Sequence, residues 1–183
     1  MPILPTILPR RTTHPTSHAS RAARGLLLAC VLGSAGLAQA QLFGDADWKE
    51  SEAPPPPAFD TNKLVPITMP PYMTLKFGVD PATIKITGDG VVRYVVVASH
   101  KEGGGFNAFY EGVHCATAEY KSYARFNNGA WDLTPAPEWK RLSDRNSIYT
   151  KALAAQALCR GDAPRASVGE MMRVLKSPVR EVE

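Results

Sequence analysis

The sequence predicts an α+β fold: a twisted antiparallel sheet of about five or six strands, with a C-terminal helix disulfide-linked to one face. Three observations predict it. Short runs rich in Val, Ile, Tyr and Phe, separated by Gly, Pro and Asn turn signals, fill residues 64–133. The apolar period lengthens to that of a helix after Ser147. Two cysteines, Cys115 and Cys159, fall one at the end of a strand run and one in that helix.

The first 40 residues read as a leader rather than as part of the fold. Arg10, Arg11, Arg21 and Arg24 precede an apolar run from Gly25 to Leu37, and Ala38-Gln39-Ala40 follows it. Basic segment, apolar segment and A-x-A is the secretory signal pattern. The run is too short to span a bilayer as a helix. Cleavage after Ala40 is the expectation, with no integral membrane segment left in the mature chain. The whole chain has 21 basic and 17 acidic residues; the leader takes four arginines and no acid, leaving 17 of each. A neutral mature chain has no electrostatic bias toward nucleic acid. Cys30 leaves with the leader, so Cys115 and Cys159 remain as a pair in an oxidising compartment.

Residues 41–62 read as an acidic, proline-rich tether, since Pro54 to Pro57 favour an extended rod without a packed core. Phe43 and Trp48 are its apolar residues, expected to dock on the domain. The globular domain is expected over residues 63–178, with a tail at 179–183.

Leu64-Val65-Pro66-Ile67 is a short strand that its proline confines to a sheet edge. Leu75–Val79 and Thr83–Thr87 alternate, with a turn at Asp80-Pro81, and Gly88-Asp89-Gly90 reads as a hairpin turn. Val91–Ser99 is apolar on both faces and belongs at the centre of the sheet. Gly103-Gly104-Gly105 lacks the Lys-Ser/Thr of a phosphate loop and reads as a connection. Phe106–Cys115 and Glu119–Phe126 are two more strands, and Asn127-Asn128-Gly129 turns the chain into a brief strand at 130–133.

Ser147 is a suitable N-cap for a helix over 148–160, and Gly161 a suitable stop. Ile148, Ala152, Ala155 and Cys159 form one stripe, which aims Cys159 at the sheet and at Cys115. Ser167-Val168-Gly169-Glu170 is a capping box opening a second helix.

Four segments together resemble a known family. They are Asp47-Trp48-Lys49-Glu50, Asp89-Gly90-Val91-Val92-Arg93-Tyr94, Tyr110-Glu111-Gly112-Val113-His114-Cys115 and Glu119-Tyr120-Lys121-Ser122-Tyr123-Ala124. The resemblance is to the CNP1-like family, exported proteins of betaproteobacteria, over most of residues 45–175. His114 stands where that family often has Arg. The resemblance implies an exported domain and carries over no catalytic residues and no cofactor.

For chemistry, the mature chain offers His100, at the end of the central strand, and His114, beside Cys115. No G-x-S-x-G and no metal-ligand spacing is present, so neither cofactor nor metal is expected. Glu111 and Glu119 would make a glycosidase-like pair if the hairpin brought them together. Otherwise Glu111 pairs with Lys121 or Arg125 across strands. Tyr110, Tyr120, Tyr123, Phe126, Trp131 and Trp139 supply either a binding face or core.

The candidate binding residues are therefore Tyr110, Glu111, His114, Glu119, Lys121 and Tyr123. The expected function is a non-catalytic periplasmic or outer-envelope module that binds another envelope protein or a cell-wall component. The alternative is an envelope hydrolase using Glu111 and His114.

Overall fold

The computed structural model describes residues 47–177; the leader, the start of the tether and the tail lie outside the described residues. Eight strands form one antiparallel sheet: β1 (Val65–Pro66), β2 (Leu75–Val79), β3 (Lys85–Ile86), β4 (Val91–His100), β5 (Phe106–His114), β6 (Glu119–Asn127), β7 (Ala130–Leu133) and β8 (Lys140–Arg141). Six make the continuous path β1-β2-β4-β5-β6-β7, with the two-residue β3 added to β4 and β8 to β6. This is the α+β sheet that the sequence predicts. Pro66 lies in an edge strand, and Val91 to Ala98 are buried at the centre.

The strand expected over 83–87 is reduced to β3, with Thr83 ending a 3-10 turn, Pro81–Thr83, and Ile84 and Thr87 outside regular structure. Asp80 caps that turn by accepting from the Ala82 N–H at 3.0 Å, so proline and cap together outweigh the β-branched residues that follow.

Alternation along β4 and β5 builds two apolar layers. Val92, Tyr94, Val96 and Val113 face one side, which the helices cover: α1 (Ile148–Leu153) and α2 (Val168–Lys176). Val95, Val97, Ala108 and Tyr110 face the other side. A β-bulge at Tyr110/Glu111 pairs Glu111 with Ser122 and Tyr110 with Ala124, which leaves Tyr123 as the extra residue of β6. Tyr123 and Ala124 both join the second face as a result.

The helix expected over 148–160 is shorter and turned differently. A 3-10 turn, Arg145–Ser147, leads into α1, which widens into a π-helical turn over Ala154–Leu158. Thr150, Leu153, Ala154, Ala157 and Leu158 are the buried residues, and Ile148 is 41% exposed. Two leucines carry more apolar surface than the small-residue stripe through Ala152 and Ala155, and they set the buried face. The π turn closes with the Cys159 N–H on the Ala154 carbonyl, and Cys159 is extended in β9 (Cys159–Arg160), paired with β10 (Ala163–Pro164). Gly161, at φ +59°, turns between them. The capping box at α2 is half formed: Ser167 Oγ accepts from the Glu170 N–H at 3.1 Å, while the Glu170 carboxylate takes the Ala166 N–H and both Arg160 and Arg165.

Cys115 and Cys159 are bonded, with Cα atoms 5.8 Å apart. Cys115 opens the 3-10 turn after β5, so the bridge ties the segment just beyond α1 to the sheet. No helix among the described residues is long and apolar enough to cross a membrane.

A disulfide spanning 44 residues constrains the unfolded chain by about 4 kcal/mol in the chain-entropy account. Dithiothreitol is therefore expected to lower the melting temperature sharply, followed by circular dichroism. An unchanged melt in the reduced protein would show that the bridge contributes nothing.

Candidate functional site

The central strand carries an arginine. Arg93 is 1% exposed, in the middle of the second face, and a buried guanidinium needs partners. They come from two places. The turn before β4 supplies Asp89, whose Oδ2 accepts from Arg93 Nη2 at 3.0 Å, and Thr87, whose hydroxyl accepts from Nη1. The N-terminal segment supplies the Ser51 carbonyl at 3.0 Å and Glu50 Oε1 at 3.5 Å. Asp89 also fixes that segment by accepting from the Ser51 N–H at 2.9 Å and hydroxyl at 2.7 Å.

Glu50 is the hub. Its carboxylate accepts from Lys121 Nζ, from the Tyr123 hydroxyl at 2.6 Å and from Trp139 Nε1 at 3.1 Å. Lys121 sits 4.8 Å from the centre of the Trp139 ring, and Arg93 5.6 Å from that of Tyr123. Trp48 lies flat on His114, ring centres 4.2 Å apart, and its Nε1 donates to the Asp89 carbonyl at 2.7 Å. Burial alone would raise the Asp89 carboxyl, but hydrogen bonds from Arg93, Thr87 and Ser51 hold it well below the usual carboxylate range. Glu50 is also lowered: burial opposes this, and Lys121 and Tyr123 outweigh it.

The segment read as an acidic, proline-rich tether with Trp48 docked on the domain is, over its described residues, a strap laid along the second face. It has no regular secondary structure from Trp48 to Asp60, but Trp48, Glu50, Ala53 and Phe59 are all seated on the sheet. Gly112 makes the closeness possible: a Cβ there would lie 2.7 Å from the Tyr123 hydroxyl and 2.8 Å from Val91 Cγ1.

The candidate residues divide between the faces. Tyr110, His114, Lys121 and Tyr123 belong to the strap side. Glu111 points the other way, under α1, and is 1% exposed. It pairs with neither Lys121 nor Arg125. It accepts instead from the Tyr149 hydroxyl at 2.6 Å, the Tyr94 hydroxyl at 3.1 Å and the Thr150 hydroxyl at 3.3 Å. Burial without a cation pushes its carboxyl up to about 7, against those hydrogen bonds.

Glu119 pairs in register with His114 and Arg141, three strand positions from Glu111, or roughly 10 Å along the sheet. The hairpin does not bring the two glutamates together, and the sheet separates Glu111 from His114. His114 is lowered chiefly by burial, against the charges of Glu119, Asp89 and Glu50, and its Nδ1 is 3.1 Å from the Thr117 hydroxyl.

Of the open part of this face, sequence reading named Phe126 and Trp131, as binding face or core, and missed Phe59 and Phe106. Past the charged cluster, Phe106, Phe126 and Trp131 from three adjacent strands meet Phe59 of the strap. Phe59 stands nearly perpendicular to Phe106 and Phe126, at 6.0 and 5.1 Å, and its centre is 5.7 Å from that of Trp131. With Pro56 they line a cleft of about 570 Å³, in which Phe106 is 42% exposed. Alternation in β5, β6 and β7 puts the three sheet residues on one face; the contribution of the strap had no periodic signal.

The model of the CNP1-like family matches residues 43–176, strap included. No curated protein and no solved structure matches the chain significantly.

Gly112→Ala is expected to cost about 1 to 3 kcal/mol in urea unfolding by overpacking against Tyr123; an unchanged midpoint would contradict the close approach. Glu111 sets a pH dependence. Its folded value lies above that of the unfolded carboxyl, so its contribution to stability is full below the unfolded value of 4.5 and is lost as pH rises through about 7. Glu111→Gln is expected to remove that component of the fall in melting temperature between about pH 5 and about pH 8. Parallel melting profiles for both proteins would refute it.

Proposed function

The chain belongs to the CNP1-like family, and from that premise we propose that it is an exported cell-envelope module that works by binding another envelope component rather than by catalysis. In this reading residues 1–40 are removed as a signal peptide, and the described strap and the sheet are one binding unit in the periplasm or at the outer envelope. The observation that carries it is the aromatic cleft. Its rings are partly exposed and stand beside a sheet face already filled by the charge cluster around Arg93 and Glu50. Aromatic side chains in open clefts anchor partners at low entropic cost.

The groups able to do acid–base chemistry support the same reading. Glu111 is enclosed by three hydroxyls beneath α1, and His114 is covered by Trp48 on the opposite face. A hydrolase needs its acid and base to reach one substrate atom, and this pair faces away from any shared site. Lys121 and Tyr123 are committed to Glu50, so their role is to hold the strap that completes the cleft.

Phe106→Ala and Trp131→Ala are expected to reduce retention of the protein on isolated envelope material several-fold, with an unchanged far-ultraviolet spectrum. Glu111→Gln should leave retention intact. Retention that is unaltered by both cleft substitutions would contradict the reading. For export, mass spectrometry of protein recovered from the producing cell should find Gln41 at the N-terminus, and a retained leader would contradict it.

A further inference from the structure

β7 ends the sheet path, and among the described residues no strand pairs with its outer side. The hairpin determines which of its backbone groups face outward. Asn128 and Gly129 form a two-residue loop, both at positive φ (50° and 84°), so Asn127 and Ala130 are the hydrogen-bonded pair beside it. The pattern then alternates. Ala130 and Asp132 turn their N–H and C=O toward β6, and Thr134 continues the series, its N–H donating to the Tyr123 carbonyl at 2.8 Å. Trp131 and Leu133 therefore direct N–H and C=O away from the sheet.

The same two residues share the cleft side: Trp131 lies opposite Phe126 and Leu133 opposite Ala124. Leu133 is 68% exposed. Outward backbone groups and apolar side chains, half-buried at Trp131 and exposed at Leu133, thus belong to the same pair of residues, next to the aromatic cleft. A ligand that uses both is an extended peptide, because only a strand supplies N–H and C=O at this repeat with side chains on alternate sides.

Asp132 selects the kind of peptide. Antiparallel pairing of the outward-facing Trp131 and Leu133 with those of a second copy, Trp131 against Leu133, would set Asp132 directly against Asp132, and like charges opposite each other are unfavourable. A register centred on Leu133 would bring Pro135, which lacks an N–H, opposite Trp131. Arg125 is the in-register neighbour of Asp132 on β6, but its guanidinium lies 5.5 Å from the Phe109 ring centre and donates to Asn107 Oδ1 at 3.5 Å. Asp132 accepts from the Asn127 amide at 3.3 Å. A cation facing it from an added strand would be complementary.

We propose that β7 receives an extended segment of a partner protein as an additional strand, with apolar residues opposite Trp131 and Leu133 and a Lys or Arg between them opposite Asp132. This rests on the binding-module reading and specifies its partner. The test titrates the purified protein with the peptide acetyl-Thr-Val-Lys-Val-Thr-amide and follows the backbone amide resonances of Trp131 and Leu133. Saturable shifts at both are expected, with affinity about tenfold weaker when the central Lys is replaced by Glu. Leu133→Pro removes an outward N–H and spares the ladder to β6; it should abolish binding, while Leu133→Ala should only weaken it.

Equal binding of the Lys and Glu peptides, equal affinity of the Pro and Ala variants, or no binding at all would overturn strand addition. Phe106, away from the edge, separates the two readings. Phe106→Ala that loses envelope retention while the peptide fails to bind leaves the module standing and removes this proposal. Peptide binding in the stated pattern with retention unchanged by Phe106→Ala removes the role of the cleft instead.

Discussion

A positive charge in the centre of the sheet governs how the rest of the chain is arranged. Arg93 is buried on a strand whose other residues are nearly all apolar. Leaving such a group without its counter-charge costs about 3 to 5 kcal/mol. Asp89, four residues earlier, answers part of that charge within the hairpin. Glu50, from a distant part of the sequence, completes it and brings the strap with it. Lys121, Tyr123 and Trp139 also donate to Glu50, which fixes the strap against the sheet. The strap is fixed on both sides of Phe59, upstream by this cluster and downstream by the Asp60 N–H on Asp80 Oδ2 at 2.8 Å, so Phe59 completes the aromatic cleft.

The two faces treat a buried ionisable group in opposite ways. On the strap side, charges are matched, and Asp89 is driven toward its ionised form. On the helix side Glu111 meets only hydroxyls, and burial drives it toward the neutral form. The first arrangement joins segments far apart in sequence; the second ties α1 to the sheet through Tyr149 and Thr150. The Cys115–Cys159 bridge closes the same helical layer from its far end.

The sheet was legible because strand alternation and turn chemistry are local. The edge proline at Pro66, the central run Val91–His100 and the Asn128-Gly129 turn all stand where those rules put them. The late helix was legible in existence but not in facing: a stripe chosen to include Cys159 competed with Leu153 and Leu158, and the π turn lets Cys159 reach its partner from an extended residue instead. The candidate site was legible only in part. Tyr110, His114, Lys121 and Tyr123 do converge, but Glu111 is turned to the other side by strand alternation. The hub, Glu50, lay in a stretch that composition marks as solvated. A charge whose partner is 43 residues away leaves no periodic trace, and the buried Arg93 was the available signal. The segments that carry the family resemblance all contribute to this cluster, through Trp48 and Glu50, Asp89 and Arg93, Gly112 and His114, Lys121 and Tyr123.

Amide hydrogen exchange at Ser51 tests the strap most directly, because its N–H is bonded to the Asp89 carboxylate and to nothing in its own segment. The account predicts protection at Ser51 well above that of an open chain, lost in Glu50→Gln while β4 and β5 stay protected. Exchange of the Ser51 amide at the rate of an unstructured peptide in the unaltered protein would contradict it.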